Sequence, residues 1–170
     1  MRSNVGTGVT NVIFEGRHFH QSYVTRDLDA AVEQFLASAA VRHERIFEPQ
    51  APPGGLSEGS SVLKQSPQNR MALLWVDNIQ YEFIQPLVYS EVFSPAMPVD
   101  RLSQLHHTGI RIDHWDRFRE GVSRHPFPVV MEGTFGEGRY VYLDTRALLG
   151  HMLECTYMTD AMWADIGWPS

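Results

Sequence analysis

The sequence repeats one order of secondary-structure patterns, and this repetition is the feature that most constrains the fold. In the first half, "RHFHQSYVT" predicts a strand, "DLDAAVEQFLASA" an amphipathic helix, and "HERIFE", "RMALLWV" and "IQYEFIQP" three further strands. In the second half, "HHTGIRI" predicts a strand, "DHWDRFREGVSRH" a helix, and "PVVMEGTF", "GRYVYLD" and "HMLECTY" three strands. The chain is therefore predicted to contain two βαβββ modules, at about residues 18–87 and 105–158.

Stretches rich in proline and glycine separate these patterns. Three prolines in "PLVYSEVFSPAMPVDRLSQ" predict a linker between the modules at residues 88–104. The stretch at 49–66, which contains "APPGG", predicts a loop inserted into module one and bordering its cavity. The aromatic C-terminal tail is expected to cover a core edge or a partner subunit. Because 170 residues are the size of one ordinary domain, residues 1–170 are predicted to form a single domain.

Each predicted helix has one apolar face and an aspartate at its start. The apolar residues are Leu28, Ala31, Val32, Phe35 and Leu36 in the first helix and Trp115, Phe118 and Val122 in the second. Asp27 and Asp113 precede the two helices and are predicted to be their N-caps.

Composition favours a small-molecule partner. The net charge is −6, with 20 acidic against 14 basic residues, and the basic residues form no run, which argues against a nucleic-acid or acidic-membrane partner. The lone Cys155 excludes an internal disulfide and suits a reducing compartment, so a cytoplasmic location is predicted. No apolar stretch approaches the roughly 20 residues that span a bilayer.

Two residue types recur at matching places in the modules. His20 and His107 lie in the two first strands, and Glu82 and Glu154 lie in the two last strands. Two imidazoles and two carboxylates suit one divalent ion, which could be nickel, cobalt, zinc, manganese or iron(II). Such an ion can take up two neighbouring substrate oxygens and stabilise the charge that appears on them when an adjacent C–H loses its proton.

Strand alternation predicts which way these side chains point. Glu82 and Glu154 are each placed on the face away from the helices, because their strand neighbours of opposite parity are apolar. His107 shares its face with Arg111, whereas the adjacent His106 is predicted to point to the other face.

Individual residues leave alternatives open. His18 has the same parity as His20, so a shifted register would make it the ligand instead. Arg111 could bind a substrate carboxylate or phosphate in a bidentate manner, or form an ordinary salt bridge. Tyr142 is predicted to line the pocket and to contact the substrate.

The order of "FHQSYVTRDLDAAVEQF", "YEFIQPL", "LHHTGIRIDHWDRF" and "RYVYLDTRALLGHMLEC" resembles the vicinal oxygen chelate superfamily. This superfamily includes glyoxalase I, methylmalonyl-CoA epimerase, extradiol dioxygenases and fosfomycin or bleomycin resistance proteins. The resemblance covers residues 18–157 and is closest to the glyoxalase I and methylmalonyl-CoA epimerase branch, through "YLDT" followed by "GHMLE". It implies an α+β fold in which two paired βαβββ modules form a cupped mixed sheet around a metal site.

The resemblance also implies an activity. The order His20, Glu82, His107, Glu154 is similar to the ligand set of glyoxalase I, whereas the epimerases usually have Gln in the second place. It implies a homodimeric metal-dependent lyase or isomerase that removes a proton next to a carbonyl, with Glu154 as the base and Glu82 as the other catalytic carboxylate.

Two other functions stay open. One is an extradiol-type ring-cleaving dioxygenase, although those enzymes normally take two His and one Glu from a single module. The other is a metal-free small-molecule binding or resistance protein, which would have no need of the four ligands.

Overall fold

The computed structural model describes residues 16–48 and 68–168, so the predicted loop at 49–66 lies outside the described residues. The first module consists of β1 (Arg17–Thr25), α1 (Leu28–Leu36), β2 (His43–Phe47), β3 (Asn69–Val76) and β4 (Ile79–Pro86). The second consists of β5 (Ser103–Arg111), α2 (Trp115–Val122), β6 (Val129–Phe135), β7 (Gly138–Leu143), α3 (Arg146–Leu149) and β8 (Met152–Tyr157), followed by α4 (Asp160–Asp165). The two βαβββ orders are confirmed; the short helices α3 and α4 are additions that the sequence patterns did not predict.

The eight strands form one curled mixed sheet in the order β2-β3-β4-β1-β5-β8-β7-β6. Within each module the first strand pairs in parallel with the last strand, as β1 with β4 and β5 with β8. The modules join through the antiparallel pairing of β1 with β5. This topology places the four strands that carry the predicted ligands side by side at the centre of the sheet, as the α+β prediction of a cupped sheet requires.

Helices α1 and α2 pack on one face of this sheet. Leu28, Ala31 and Val32 of α1 form a buried cluster with Leu74 and Phe83 of the sheet. The face of α2 packs in the same way on a second cluster, which consists of Ile110, Ile112, Val122, Val141, Leu143, Leu153 and Cys155, with Trp115 and Phe118 at its edge. Leu36 is an exception to the predicted apolar face, because it is 39% exposed at the end of α1.

The predicted helix caps have opposite outcomes. Asp27 is confirmed as the N-cap of α1, since its carboxylate accepts a hydrogen bond of 3.0 Å from the Ala30 N–H. The prediction for Asp113 is wrong, because His114 occupies the N-cap position of α2. The Asp113 carboxylate instead accepts hydrogen bonds from the Arg111 Nε at 2.9 Å and the Arg17 Nη2 at 3.4 Å. Two guanidinium groups therefore hold the carboxylate away from the helix end.

Two segments outside the βαβββ pattern cover the face opposite α1 and α2. Val92 and Phe93, within the predicted linker, pack on a buried cluster that includes Met152 of the sheet. The second segment is the C-terminal tail, in which Trp163 of α4 packs on Phe19 with ring centroids 4.8 Å apart. The tail thus covers the sheet itself. Among the described residues, no helix has the length and apolar character needed to cross a membrane.

Candidate metal centre

Four buried side chains meet on the face opposite α1 and α2. His20, Glu82, His107 and Glu154 each offer one ligand atom, and these atoms all lie within 4.8 Å of one another. They come from β1, β4, β5 and β8, the four central strands, and all four residues are less than 9% exposed. The predicted set is therefore brought together, with one imidazole and one carboxylate from each module.

The exposed His18 is absent from this group. A break in the β1–β5 register between His18 and His20 makes Phe19 an extra residue of β1. The imidazole of His20 is thereby placed in the group and that of His18 at the surface, which rules out the shifted register in which His18 would replace His20.

The nitrogens and carboxylates face one another at short range. The His107 Nε2 lies 2.9 Å from the Glu154 Oε2 and 3.4 Å from the Glu82 Oε2. The His20 Nε2 lies 3.3 Å from the same Glu154 oxygen. Both the His20 Nε2 and the Glu82 Oε2 are buried without a hydrogen-bond partner among the described residues. Because such atoms normally have a partner, two imidazoles and two carboxylates in this arrangement fit a divalent ion.

Neighbouring hydroxyls hold the carboxylate of Glu154 in place. The Thr156 hydroxyl donates to the Glu154 Oε1 at 2.6 Å, and the Tyr142 hydroxyl donates to the Oε2 at 3.0 Å. Burial and the Glu154 charge raise the pKa of Tyr142 well above its ordinary value, so this phenol stays protonated and can donate. The structure therefore places Tyr142, predicted to contact substrate, directly beside a candidate ligand.

The charges of these residues depend on one another. Burial lowers the pKa of His107, but the neighbouring carboxylates of Glu154 and Glu82 outweigh burial and raise it to about 9. Burial also acts to raise the pKa of Glu154, yet its hydrogen bond with His107 and the nearby His20 hold that pKa well below its ordinary value. The pKa of Glu82 is lowered against burial by the same two histidines. A positive charge at this position, from a proton or a cation, is thus what stabilises the two buried carboxylates.

The prediction that His106 and His107 point to opposite faces is wrong. Ser22 of β1 pairs with His107, but the next residue, Tyr23, pairs with Leu105, so His106 is an extra residue in β5. This β-bulge brings the two imidazoles to the same side, with their Nδ1 atoms 2.8 Å apart. Burial, followed by the nearby His107 charge, lowers the pKa of His106 to about 4.

Gly109 provides the space for the ring of His20. These two residues are direct partners across the β1–β5 pairing. A Cβ atom at Gly109 would lie only 2.4 Å from the Nε2 and Cδ2 of His20. The absence of a side chain at Gly109 thus lets the imidazole lie over the neighbouring strand. The sequence showed this glycine on the face of His107 but gave no sign of its contact with His20.

Arg111 forms ordinary salt bridges in this structure, which is the second of the two roles that the sequence left open for it. Its Nε donates to Asp113 at 2.9 Å and its Nη2 donates to Asp160 at 2.9 Å. Its guanidinium also lies over the ring of Trp163, 5.1 Å from the centroid. The structure thus places Arg111 under the C-terminal tail, bound to two carboxylates.

We predict that Gly109→Ala destabilises the protein by about 1–3 kcal/mol, because the added methyl group forces the buried His20 ring out of its place. Gly121→Ala is the matched control: no atom lies within 4 Å of a Cβ at Gly121, and a helix gains roughly 0.5–1 kcal/mol from this exchange. Urea unfolding of both variants measures the difference. A Gly109→Ala variant as stable as the unchanged protein would contradict the assigned contact.

Comparisons with known proteins identify the fold. No protein-family profile matches the chain, and no curated protein matches it in sequence. The methylmalonyl-CoA epimerase of Mycobacterium tuberculosis is similar in structure, with a TM-score of 0.61 and 17% identity over 93% of this chain and 97% of that one. A methylmalonyl-CoA epimerase in complex with methylmalonyl-CoA and NH4+ has a TM-score of 0.61 and 16% identity, covering 85% of this chain and 96% of that one. A hypothetical protein from Bacillus halodurans C-125 also has a TM-score of 0.61, with 11% identity over 86% of this chain and 96% of that one. The curled sheet of paired βαβββ modules is the vicinal oxygen chelate fold.

Proposed function

We propose that this protein is a divalent-metal-dependent enzyme that moves a proton on the carbon next to a substrate carbonyl, as acyl-CoA epimerases and glyoxalases do. The observation that carries this proposal is the buried group of His20, Glu82, His107 and Glu154, with its ligand atoms within 4.8 Å of one another. The same four residues are proposed to hold the ion. Nickel, cobalt, zinc, manganese and iron(II) all suit two imidazoles and two carboxylates.

The ion, when bound, would supply a Lewis acid that polarises two neighbouring substrate oxygens and makes the adjacent C–H more acidic. The protein would supply the rest of the chemistry. Trp163 and Phe93, both less than 3% exposed, cover the face of the sheet on which the four residues lie. Such cover excludes bulk water and strengthens charge interactions at the site.

The two glutamates differ in how firmly they are held, and this difference suggests their roles. Glu154 accepts hydrogen bonds from Thr156, Tyr142 and His107, so its carboxylate is fixed. The Glu82 Oε2 has no hydrogen-bond partner among the described residues, and its contact with His107 is longer, at 3.4 Å. We therefore propose Glu82 as the first candidate for the proton transfer, in place of Glu154, which the family resemblance implied as the base, and keep Glu154 as the second catalytic carboxylate.

The similar structures support an acyl-CoA substrate, and the ligand set supports a glyoxalase-type one. A variant of the Streptomyces coelicolor methylmalonyl-CoA epimerase is in complex with 2-nitronate-propionyl-CoA. A nitronate is a planar anion with its charge on two neighbouring oxygens, which is the kind of group that the proposed site would bind. Glu82, however, stands where the epimerases usually have Gln. The substrate class is thus proposed as a thioester or a hemithioacetal with two neighbouring oxygens.

Substrate contacts are proposed for two residues. The Tyr142 hydroxyl lies next to Glu154 and could also donate to a substrate oxygen. Arg111 could bind an anionic group of the substrate only in competition with Asp113 and Asp160. We further propose a homodimer.

We predict that deuterium from the solvent enters the carbon next to the carbonyl of methylmalonyl-CoA or of a glutathione hemithioacetal when the protein carries Co²⁺, Ni²⁺, Zn²⁺ or Mn²⁺. Glu82→Gln is expected to keep the metal, because an amide oxygen is still a ligand, and to lower the exchange rate by about 10²–10⁴-fold. Mass spectrometry measures the exchange, and Glu44→Gln, at an exposed position, is the control.

The outcomes of this experiment separate the parts of the proposal. If the Glu82→Gln variant exchanged deuterium at the full rate, Glu82 would not be the base, and the proton transfer would be assigned to Glu154. No exchange with either substrate and any of the four ions would contradict the proposed chemistry.

We also predict that metal binding releases protons at neutral pH. His107 has a pKa of about 9, so at pH 7 it must lose a proton before it can bind an ion. The apparent affinity should therefore rise about tenfold per pH unit between pH 7 and 8 and level off above pH 9.

Calorimetry with Zn²⁺ in buffers of different ionisation enthalpy counts the released protons. The exposed His18→Asn variant serves as control and should release the same number. If the affinity did not change with pH, the ion would not be displacing a proton from His107, and the prediction would be wrong.

A further inference from the structure

A chain of two hydrogen bonds leads from a main-chain carbonyl to one of the four proposed ligands. The His106 Nε2 lies 3.0 Å from the carbonyl oxygen of Val92. The His106 Nδ1 lies 2.8 Å from the Nδ1 of His107. The other nitrogen of His107, its Nε2, faces the carboxylates of Glu154 and Glu82.

From this geometry we propose that His106 is a positioning residue that fixes the tautomer of His107 and aims its Nε2 at the metal centre. The inference rests on the proposed metal-dependent function, but its core concerns the placement of protons on two imidazoles, which does not require an ion.

The carbonyl of Val92 decides where the protons lie. A carbonyl oxygen only accepts, so the His106 Nε2 must carry a hydrogen and donate it. His106 is 4% exposed, and a second proton on its ring would bury a charge next to another imidazole. The neutral ring then has an unprotonated Nδ1, which accepts the hydrogen bond. It follows that the His107 Nδ1 carries the hydrogen and donates to His106.

This arrangement leaves the His107 Nε2 as the nitrogen that can bind an ion. An imidazole ligand usually donates its other N–H to an acceptor, which sets both its tautomer and its ring orientation. In this protein the acceptor is the imidazole of His106, which is itself held by its hydrogen bond to the main-chain carbonyl of Val92. His106 thus has no direct contact with substrate in the proposal and acts only through His107.

The acceptor carbonyl is itself held in place by the segment between the modules. The Ser90 hydroxyl accepts hydrogen bonds from the N–H groups of Val92 and Phe93, at 3.3 and 3.2 Å. The ring of Phe93 packs against that of His106, with centroids 5.0 Å apart. The segment between β4 and β5 therefore connects the modules and also sets the orientation of a proposed ligand. The β-bulge at His106 is what turns this side chain toward the segment.

Two substitutions at the same position test the proposal. In His106→Asn the side-chain oxygen lies where Nδ1 was and can still accept from His107. In His106→Gln the amide lies nearer the place of Nε2, so it keeps the contact with Val92 but leaves the His107 N–H without an acceptor. We expect the Kd for Zn²⁺ to rise about 10- to 100-fold in His106→Gln and to change by only a few-fold in His106→Asn. Equal losses in two folded variants would overturn the proposal.

The protons themselves can be observed by NMR of protein with ¹⁵N-labelled histidines. In the metal-free protein, His106 is expected to show a protonated Nε2 and an unprotonated Nδ1, and in the zinc-bound protein His107 is expected to carry its proton on Nδ1. A His106 ring protonated on Nδ1 would contradict the inference. If the protein bound no ion at all, the proposed function would fail, while the spectrum of the metal-free protein would still decide the tautomer of His106.

Discussion

The structure depends on the cost of burying two carboxylates side by side. Glu82 and Glu154 are less than 9% exposed, and desolvation alone would favour their neutral forms. Two imidazoles reverse that preference, and they come from the two strands, β1 and β5, whose antiparallel pairing joins the modules. Each half contributes one carboxylate and one imidazole, and the contacts cross between the halves: the His20 Nε2 lies 3.3 Å from Glu154, and the His107 Nε2 lies 3.4 Å from Glu82. Removal of either partner would leave a charge uncompensated in a low-dielectric interior, which is strongly unfavourable.

Two segments outside the repeat, the stretch between the modules and the C-terminal tail, pack close to the four buried residues. The stretch between the modules packs Phe93 beside His106 and presents the Val92 carbonyl to it, while α4 packs Trp163 on Phe19 from the other side. The tail is tied down by polar contacts as well, since Arg111 binds Asp160 at the start of α4. Both segments pack on the face of the sheet that carries the four residues. Two hydroxyls hold Glu154, and a neighbouring imidazole holds the proposed ligand His107. Such preorganisation is what a metal centre needs for affinity and for directional chemistry.

Much of the fold and of the site could be predicted, because both follow from regular spacing. Alternation along β4 and β8 placed Glu82 and Glu154 correctly, and the matched positions of His20 and His107 identified the other two members of the group. The errors occur where that regularity breaks. A β-bulge adds one residue to a strand without a compositional sign, so the orientation of His106 was predicted wrongly. The cap predicted at Asp113 is absent because its carboxylate binds Arg111, two residues away, and Arg17, which is distant in sequence. The contact of His20 with Gly109 and the docking of α4 depend on tertiary packing, which local patterns do not encode.

The central claim is that one divalent ion is held jointly by both modules. Anomalous diffraction from crystals of the cobalt-loaded protein tests it most directly. The account predicts one strong anomalous peak per chain, within coordination distance of the Nε2 atoms of His20 and His107 and of carboxylate oxygens of Glu82 and Glu154. An anomalous peak elsewhere on the chain, with none at these four side chains, would contradict the account.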